Sequence, residues 1–206
     1  MHIISILMKI LITGITGQDG IFISKTLNKT YKNLKIIGIS RNLNKLQFEK
    51  KARYSYENLK IVNIDLLNFE EVNNLLTDFN PDLLFNLSGP SSVYESIKNP
   101  SQKDEITQIF DNLTNSLINA KNFCNFFQAS TSEMFGLNNK EAIYSETSDF
   151  LPNSPYASGK YENHKKVFNL REKYEWNIFS GIMFNHESEF RSPNYLFMKK
   201  INSAIK

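Results

Sequence analysis

Between Met8 and Gly20 the chain reads Met-Lys-Ile-Leu-Ile-Thr-Gly-Ile-Thr-Gly-Gln-Asp-Gly, and few folds accommodate that stretch. An apolar run from Ile10 to Thr13 breaks into glycines at 14, 17 and 20, and apolar residues return at Ile21, Ile23 and Leu27, closer to helical spacing. This pattern predicts a strand, a tight turn and a helix. Glycine tolerates positive φ and lets a phosphate approach the backbone closely. A helix starting there points free N–H groups and the positive end of its dipole at that phosphate. A glycine motif alone is weak; the strand before it and the helix after it are the context it requires. The turn from Gly14 to Gly20, with Thr16, Gly17, Gln18 and Asp19 inside it, is therefore the first candidate for holding a nucleotide.

The rest of the chain repeats the strand–helix alternation. Helical spacing is expected over residues 20–30, 68–79 and 103–121, and strands over 34–39, about 60–64, 82–87 and about 122–129. Residues 42–58 are polar and mixed, a loop with a short helix, and Asn80-Pro81 stops the helix before it. Such alternation implies an α/β fold with a doubly wound parallel sheet, in which ligands bind at the carboxyl ends of the strands. The second strand is followed by Ser40, Arg41 and Asn42, with no acid nearby. An acid there would hold the ribose 2′-hydroxyl of NAD, whereas a basic group suits the 2′-phosphate of NADP. NADP is therefore expected, with Arg41 as its ligand and a solvated arginine as the alternative. Asp65-Leu66 closes the third strand, where the aspartate can reach an adenine. Leu87 and the small-residue loop from Ser88 to Ser91 can pass under a pyrophosphate; a plain turn is the alternative.

The predicted fifth strand ends in Gln128-Ala-Ser-Thr-Ser-Glu-Met-Phe-Gly136, three hydroxyls and a carboxylate where the cleft should lie. Further on, Ser154-Pro-Tyr-Ala-Ser-Gly-Lys160 puts Tyr156 and Lys160 four apart on one helix face. A lysine ammonium can lower a tyrosine pKa and make a phenolate available as base.

This order of motifs resembles the extended short-chain dehydrogenase/reductase family. Within it, Gly14 to Gly20, Gln128 to Gly136 and Gly181-Ile-Met-Phe-Asn-His-Glu-Ser188 are similar to the GDP-mannose 4,6-dehydratases, and the similarity runs from about Met8 to the last residue. Thr-Ser-Glu is the telling motif, because dehydratases acting on dTDP-glucose tend to carry Thr-Asp-Glu. Asn-His-Glu-Ser after an apolar strand is the second.

The resemblance implies a Rossmann fold whose NADP-binding domain, with the catalytic residues, covers 8–184, and a substrate-binding portion that starts at 185–206 and is largely absent. It implies that Tyr156 removes the proton from the 4-hydroxyl of GDP-mannose while C4 gives hydride to NADP, with Lys160 on the nicotinamide ribose and Thr131 on the 4-oxygen. Glu133 would then take the C5 proton and help water leave from C6, giving GDP-4-keto-6-deoxymannose. Ser132 and Asn185 would contact substrate, with helix capping the alternative for Ser132; His186 and Arg191 would contact cofactor. No metal is expected. The competing readings are a sugar-nucleotide epimerase or reductase of the same extended family, and a truncated dinucleotide-binding module without turnover. Three features depart from the family: Ser88-Gly-Pro-Ser-Ser92 replaces the usual loop, Asp111-Asn112-Leu113 replaces a small glycine-bearing pattern, and the chain stops within the basic, helix-like run from Tyr195 to Lys206. An exposed apolar face is expected where the missing part would pack.

Bulk properties exclude other classes. The 206 residues suffice for one full domain and part of another, and 41% hydrophobic with 22% charged content is ordinary for a soluble protein. The net charge of +3 comes from scattered basic residues, so no nucleic-acid partner is expected. The apolar run over 1–14 is too short to span a bilayer, and a cleavable leader would remove the first strand. Met8 is an alternative start. Cys124, the single cysteine, is expected to be a buried thiol within a strand, and one cysteine fits a reducing cytoplasm. Homo-oligomerisation is left open.

Overall fold

The first strand carries the organisation of the molecule, because its side chains serve two cores. In a computed structural model that describes residues 7–136, 143–191 and 195–204, strand β1 spans Met8–Thr13. Successive strand residues point to opposite faces. Leu11 accordingly joins Leu84, Phe126 and Ile178 in a core with Leu76, Phe110, Leu113, Leu117 and Trp176. Ile10 and Ile12 face the other way, onto Ile21, Ile36, Phe48 and Tyr56. A sheet buried on both sides needs strands that are apolar at every position, which β1 is from Ile10 to Ile12.

The elements follow in alternation: α1 (Gln18–Thr30), β2 (Leu34–Ile39), α2 (Lys45–Ala52), β3 (Leu59–Val62), α3 (Phe69–Phe79), β4 (Leu83–Asn86), α4 (Val93–Lys98), α5 (Gln102–Asn119), β5 (Asn125–Ala129), a 3₁₀ helix (Ser132–Phe135), α6 (Pro155–Tyr174), β6 (Ile178–Gly181) and α7 (Leu196–Ala204). The six strands among the described residues are all parallel, in the order β3-β2-β1-β4-β5-β6. The order reverses between β1 and β4, which opens a crevice above their carboxyl ends.

Several local details sharpen or change the sequence reading. Helix α1 begins at Gln18, two residues earlier than expected, because Gly17 already adopts the extended conformation of an N-cap. Strand β5 starts at Asn125, so Cys124 precedes the strand; it is still buried, and burial pushes its thiol up to about 12, an inert state. The mixed stretch after β2 holds α2, fixed by a reciprocal Asn44–Gln47 capping box and by buried Phe48. Helix α4 was not expected; it is six residues long and capped by the Ser92 hydroxyl. The predicted basic helix is α7, which presents Phe197 and Ile201 to solvent. Residues 205–206, and the apolar residues 1–6 ahead of β1, lie outside the described set. Among the described residues, no helix is long and apolar enough to cross a membrane.

Candidate active site

The glycine turn is built from backbone contacts. Gly14 has φ +64°, and a Cβ there would sit 2.7 Å from the Leu87 carbonyl oxygen. A Cβ on Gly20 would lie 2.5 Å from the Ile15 backbone, so α1 packs on the turn at a distance only glycine permits. The Gly17 N–H donates to the Gly14 carbonyl at 3.0 Å, and no side chain caps α1. First-turn N–H groups of α1 are thus left without a side-chain acceptor at the cleft, an arrangement suited to an anion.

Beneath the crevice, polar residues at the ends of apolar strands form one buried chain. The Thr13 hydroxyl donates to Asn86 Oδ1 (2.7 Å) and accepts from the Leu87 and Ser88 N–H groups (3.1 and 3.2 Å). Asn86 Nδ2 donates to Gln128 Oε1 (2.7 Å), whose Nε2 donates to the Ala129 carbonyl (2.9 Å). Lys160 Nζ donates to that same carbonyl at 2.9 Å. Thr13, Asn86 and Gln128 were missed as site residues. Their signal was the placing of one polar residue at or near the end of each apolar strand.

Two adjoining clefts lie above this chain. One, about 290 Å³, is lined by Gly14, Thr16, Gly17, Gln18, Asp19, Arg41, Asp65, Leu66, Leu87, Ser88 and Arg191, all expected cofactor residues. Gly20 is not in the lining; it is where α1 packs on the turn. The other, about 570 Å³, is lined by Thr131, Glu133, Tyr156, Lys160, Asn185 and His186, with Asp19 and Arg191 shared between the two. The phenol of Tyr156, the ammonium of Lys160 and the carboxylate of Glu133 thus line one space. Ser132 is the exception: its flanking residues line the cleft and it does not, its N–H instead donating to the Met183 carbonyl at 2.9 Å. It is not a cap either; that place is taken by Thr131, whose hydroxyl accepts from the Glu133 N–H.

The electrostatics differ from expectation at one point. Tyr156 is buried, and burial raises its phenol above the ordinary value; the Thr131 hydroxyl, by hydrogen bonding, and Arg191 oppose this, while Tyr195 and Glu133 add to it. Lys160 is not among these influences. It stands 5.9 Å from the Tyr156 ring, and its own pKa falls to about 8 because it is buried.

The Asn185-His-Glu-Ser188 segment is bolted to the glycine turn. Gln18 Nε2 donates to the His186 carbonyl at 3.0 Å, and Ser188 Oγ donates to Gln18 Oε1 at 2.9 Å. His186 Nε2 meets Asp19 Oδ1 and its Nδ1 meets the Phe184 carbonyl, both at 2.7 Å. The Phe184 carbonyl and the Asp19 carboxylate raise the histidine pKa, because two acceptors suit the doubly protonated ring. Arg191 faces Glu187 at 3.6 Å and stacks on the Tyr195 ring at 3.8 Å, while the Tyr195 hydroxyl meets Ser91 Oγ at 2.6 Å. Asp65 accepts from the Leu67 N–H, and Lys51 Nζ donates to the Thr16 carbonyl at 2.5 Å. Lys51 and Tyr195 had no local signal, since each acts on residues far away in the chain.

Residues 11–206 match a family model described as GDP-mannose 4,6 dehydratase. The chain is 34% identical over 208 residues to the GDP-mannose 4,6 dehydratase of Homo sapiens, covering 95% of this chain and 55% of that protein. It is 33% identical over 201 residues to the GDP-mannose 4,6-dehydratase of Vibrio cholerae, covering 92% and 52%. The chain thus spans about half the length of the curated relatives it matches. The structure of a dTDP-glucose 4,6-dehydratase from Streptomyces venezuelae, with NAD bound, superposes with a TM-score of 0.83 at 19% identity, over 96% of this chain and 62% of that one.

Proposed function

The chain belongs to the GDP-mannose 4,6-dehydratase family, and from that premise we propose that it carries the dinucleotide site and the acid–base groups of a nucleotide-sugar dehydratase acting on GDP-mannose. The observation that supports this most strongly is the shared cleft: Thr131, Glu133, Tyr156 and Lys160 line one space that adjoins the glycine turn.

The residues present fit a nicotinamide dinucleotide. The glycines leave no Cβ to obstruct the turn, and α1 starts there without a side-chain cap. Gly14 to Asp19 would hold the pyrophosphate, Asp65 and Leu66 the adenine, Leu87 and Ser88 the far side, and Lys160 the nicotinamide ribose. Arg41 would take a 2′-phosphate, which makes NADP our preferred dinucleotide. When bound, the dinucleotide supplies a hydride acceptor for sugar C4 and a hydride donor for C6, without net consumption.

The chain's own groups supply the proton transfers. Tyr156 removes the proton of the sugar 4-hydroxyl, and Thr131, already hydrogen-bonded to Tyr156, holds the 4-oxygen. A 4-keto group acidifies the C5 proton, which Glu133 takes before returning a proton to the departing C6 hydroxyl. Asn185 orients the sugar, and His186 ties its segment to the turn through Asp19. Residues 8–184 form the dinucleotide-binding and catalytic unit, and 185–206 open the portion that completes the substrate pocket.

The test is to incubate the purified chain with GDP-mannose and NADP⁺ and to follow 4-keto product. Product from the wild type and none from Glu133→Gln is the expected result. A C4-epimerised sugar nucleotide formed by both wild type and Glu133→Gln, with no 4-keto product from either, would overturn the dehydratase assignment in favour of an epimerase-like site, which needs no C5 base. Dinucleotide binding with no product would reduce the chain to a binding module.

A further inference from the structure

We propose that Glu105 sets the dinucleotide preference of this chain by competing with a ribose 2′-phosphate for Arg41. The inference rests on the reading above that Arg41 is the 2′-phosphate ligand.

No acid follows β2, yet the fold brings one there. Glu105 lies in the first turn of α5, and its Oε1 stands 3.8 Å from Arg41 Nη1. Both line the glycine-turn cleft, together with Ser40 and Asp65. The Arg41 side chain is 72% exposed and that of Glu105 only 27%, so the acid is the better fixed of the two and the arginine reaches across to it.

The other charges in this cleft are otherwise engaged. Asp19 meets His186, Asp65 accepts from the Leu67 N–H, and Arg191 faces Glu187 and Tyr195. Among the described charged side chains of this cleft, Arg41 and Glu105 are thus the pair whose main charged partner is each other. A 2′-phosphate arriving at Arg41 must part it from Glu105 and then sit beside that carboxylate, a like-charge contact. A plain 2′-hydroxyl instead finds in Glu105 the kind of acceptor that NAD-preferring folds place at the end of the second strand. Glu105 therefore narrows the preference for NADP that Arg41 alone would create. It acts in two ways, by engaging Arg41 and by facing the ribose substituent itself.

Equilibrium binding of NADP⁺ and NAD⁺ to the full chain, by calorimetry at low salt, tests this. Glu105→Gln should raise the NADP⁺-to-NAD⁺ affinity ratio roughly two- to fivefold, the scale of a partly exposed charge pair, with the gain shrinking at high salt. Thermal unfolding of the variant checks that α5, which loses a favourable first-turn acid, is still formed. In an Arg41→Ala background the gain should shrink, because only the direct effect of the carboxylate on the ribose substituent remains. An unchanged or lower ratio in Glu105→Gln would overturn the inference, as would a full gain in the Arg41→Ala background. If Arg41→Ala lowers NADP⁺ affinity while Glu105→Gln changes nothing, the NADP reading stands and the role of Glu105 falls. If Arg41→Ala leaves NADP⁺ affinity intact, the reading of Arg41 falls, and this inference with it.

Discussion

The glycine-turn cleft and the catalytic cleft share one rim but are made of different materials. The first is backbone: three glycines, a bare helix start, and carbonyl and N–H groups of the β1 and β4 ends. The second is side chains, delivered by the 3₁₀ helix, α6 and the segment after β6. A backbone site is inseparable from the packing that makes it, so damage there is damage to the fold. A side-chain site can lose its chemistry while the fold survives. The contrast can be pressed from the largest effect to the smallest.

Glu133→Gln and Tyr156→Phe should each lower 4-keto product formation by about 10²- to 10⁴-fold, the range for removing a general acid or base. Unfolding by urea should show midpoints close to wild type for Glu133→Gln. A large stability loss there would mean that the catalytic cleft, too, is structural.

Gly20→Ala should do the reverse. Its new Cβ meets the Ile15 backbone, which cannot rotate away, so the cost belongs at the upper end of overpacking, about 3 kcal/mol. Urea unfolding measures it, and dinucleotide binding should fall in parallel.

Thr13→Val probes the seam between the clefts. It removes the acceptor of the Leu87 and Ser88 N–H groups and the donor to Asn86 in a buried setting. A loss of about 1–3 kcal/mol in unfolding free energy is expected.

The smallest effect concerns the bolt between them. The His186 pKa is raised in the fold, so protonated His186 stabilises the native state. That contribution is fully present below the unfolded value of 6.5 and is lost as pH rises through the higher folded value. Asp19→Asn should partly flatten this part of the pH–stability profile, the Phe184 carbonyl remaining, as measured by thermal unfolding between about pH 5.5 and 8. Solvent reaches this pair, so the change should be a modest one in melting temperature.

Much of the glycine-turn cleft was legible because its parts are consecutive in sequence. Gly14, Gly17 and Gly20 announce a turn by spacing alone, and the strand and helix around them carry periods of two and 3.6 residues. Tyr156 and Lys160 were legible for the same reason, four residues apart on one helix. The reading failed where a property depended on surroundings. Lys160 was expected to acidify Tyr156; burial instead lowers the lysine and raises the phenol. Ser132 sits among catalytic neighbours in sequence, but the 3₁₀ helix leaves it out of the cleft that they line. Arg41 looked unopposed because its acid lies on another helix.

Sequence by itself determined the alternation of strands and helices, the glycine turn and the order of the chemical groups. These follow from short-range backbone geometry and from apolar periodicity, which act over a few residues. Only the tertiary structure decided which charges meet: Glu105 with Arg41, Asp19 with His186 across 167 residues, and the buried polar chain from Thr13 to Lys160. Coulombic attraction and desolvation depend on distance in space and on burial, and the packing of a doubly wound sheet sets both.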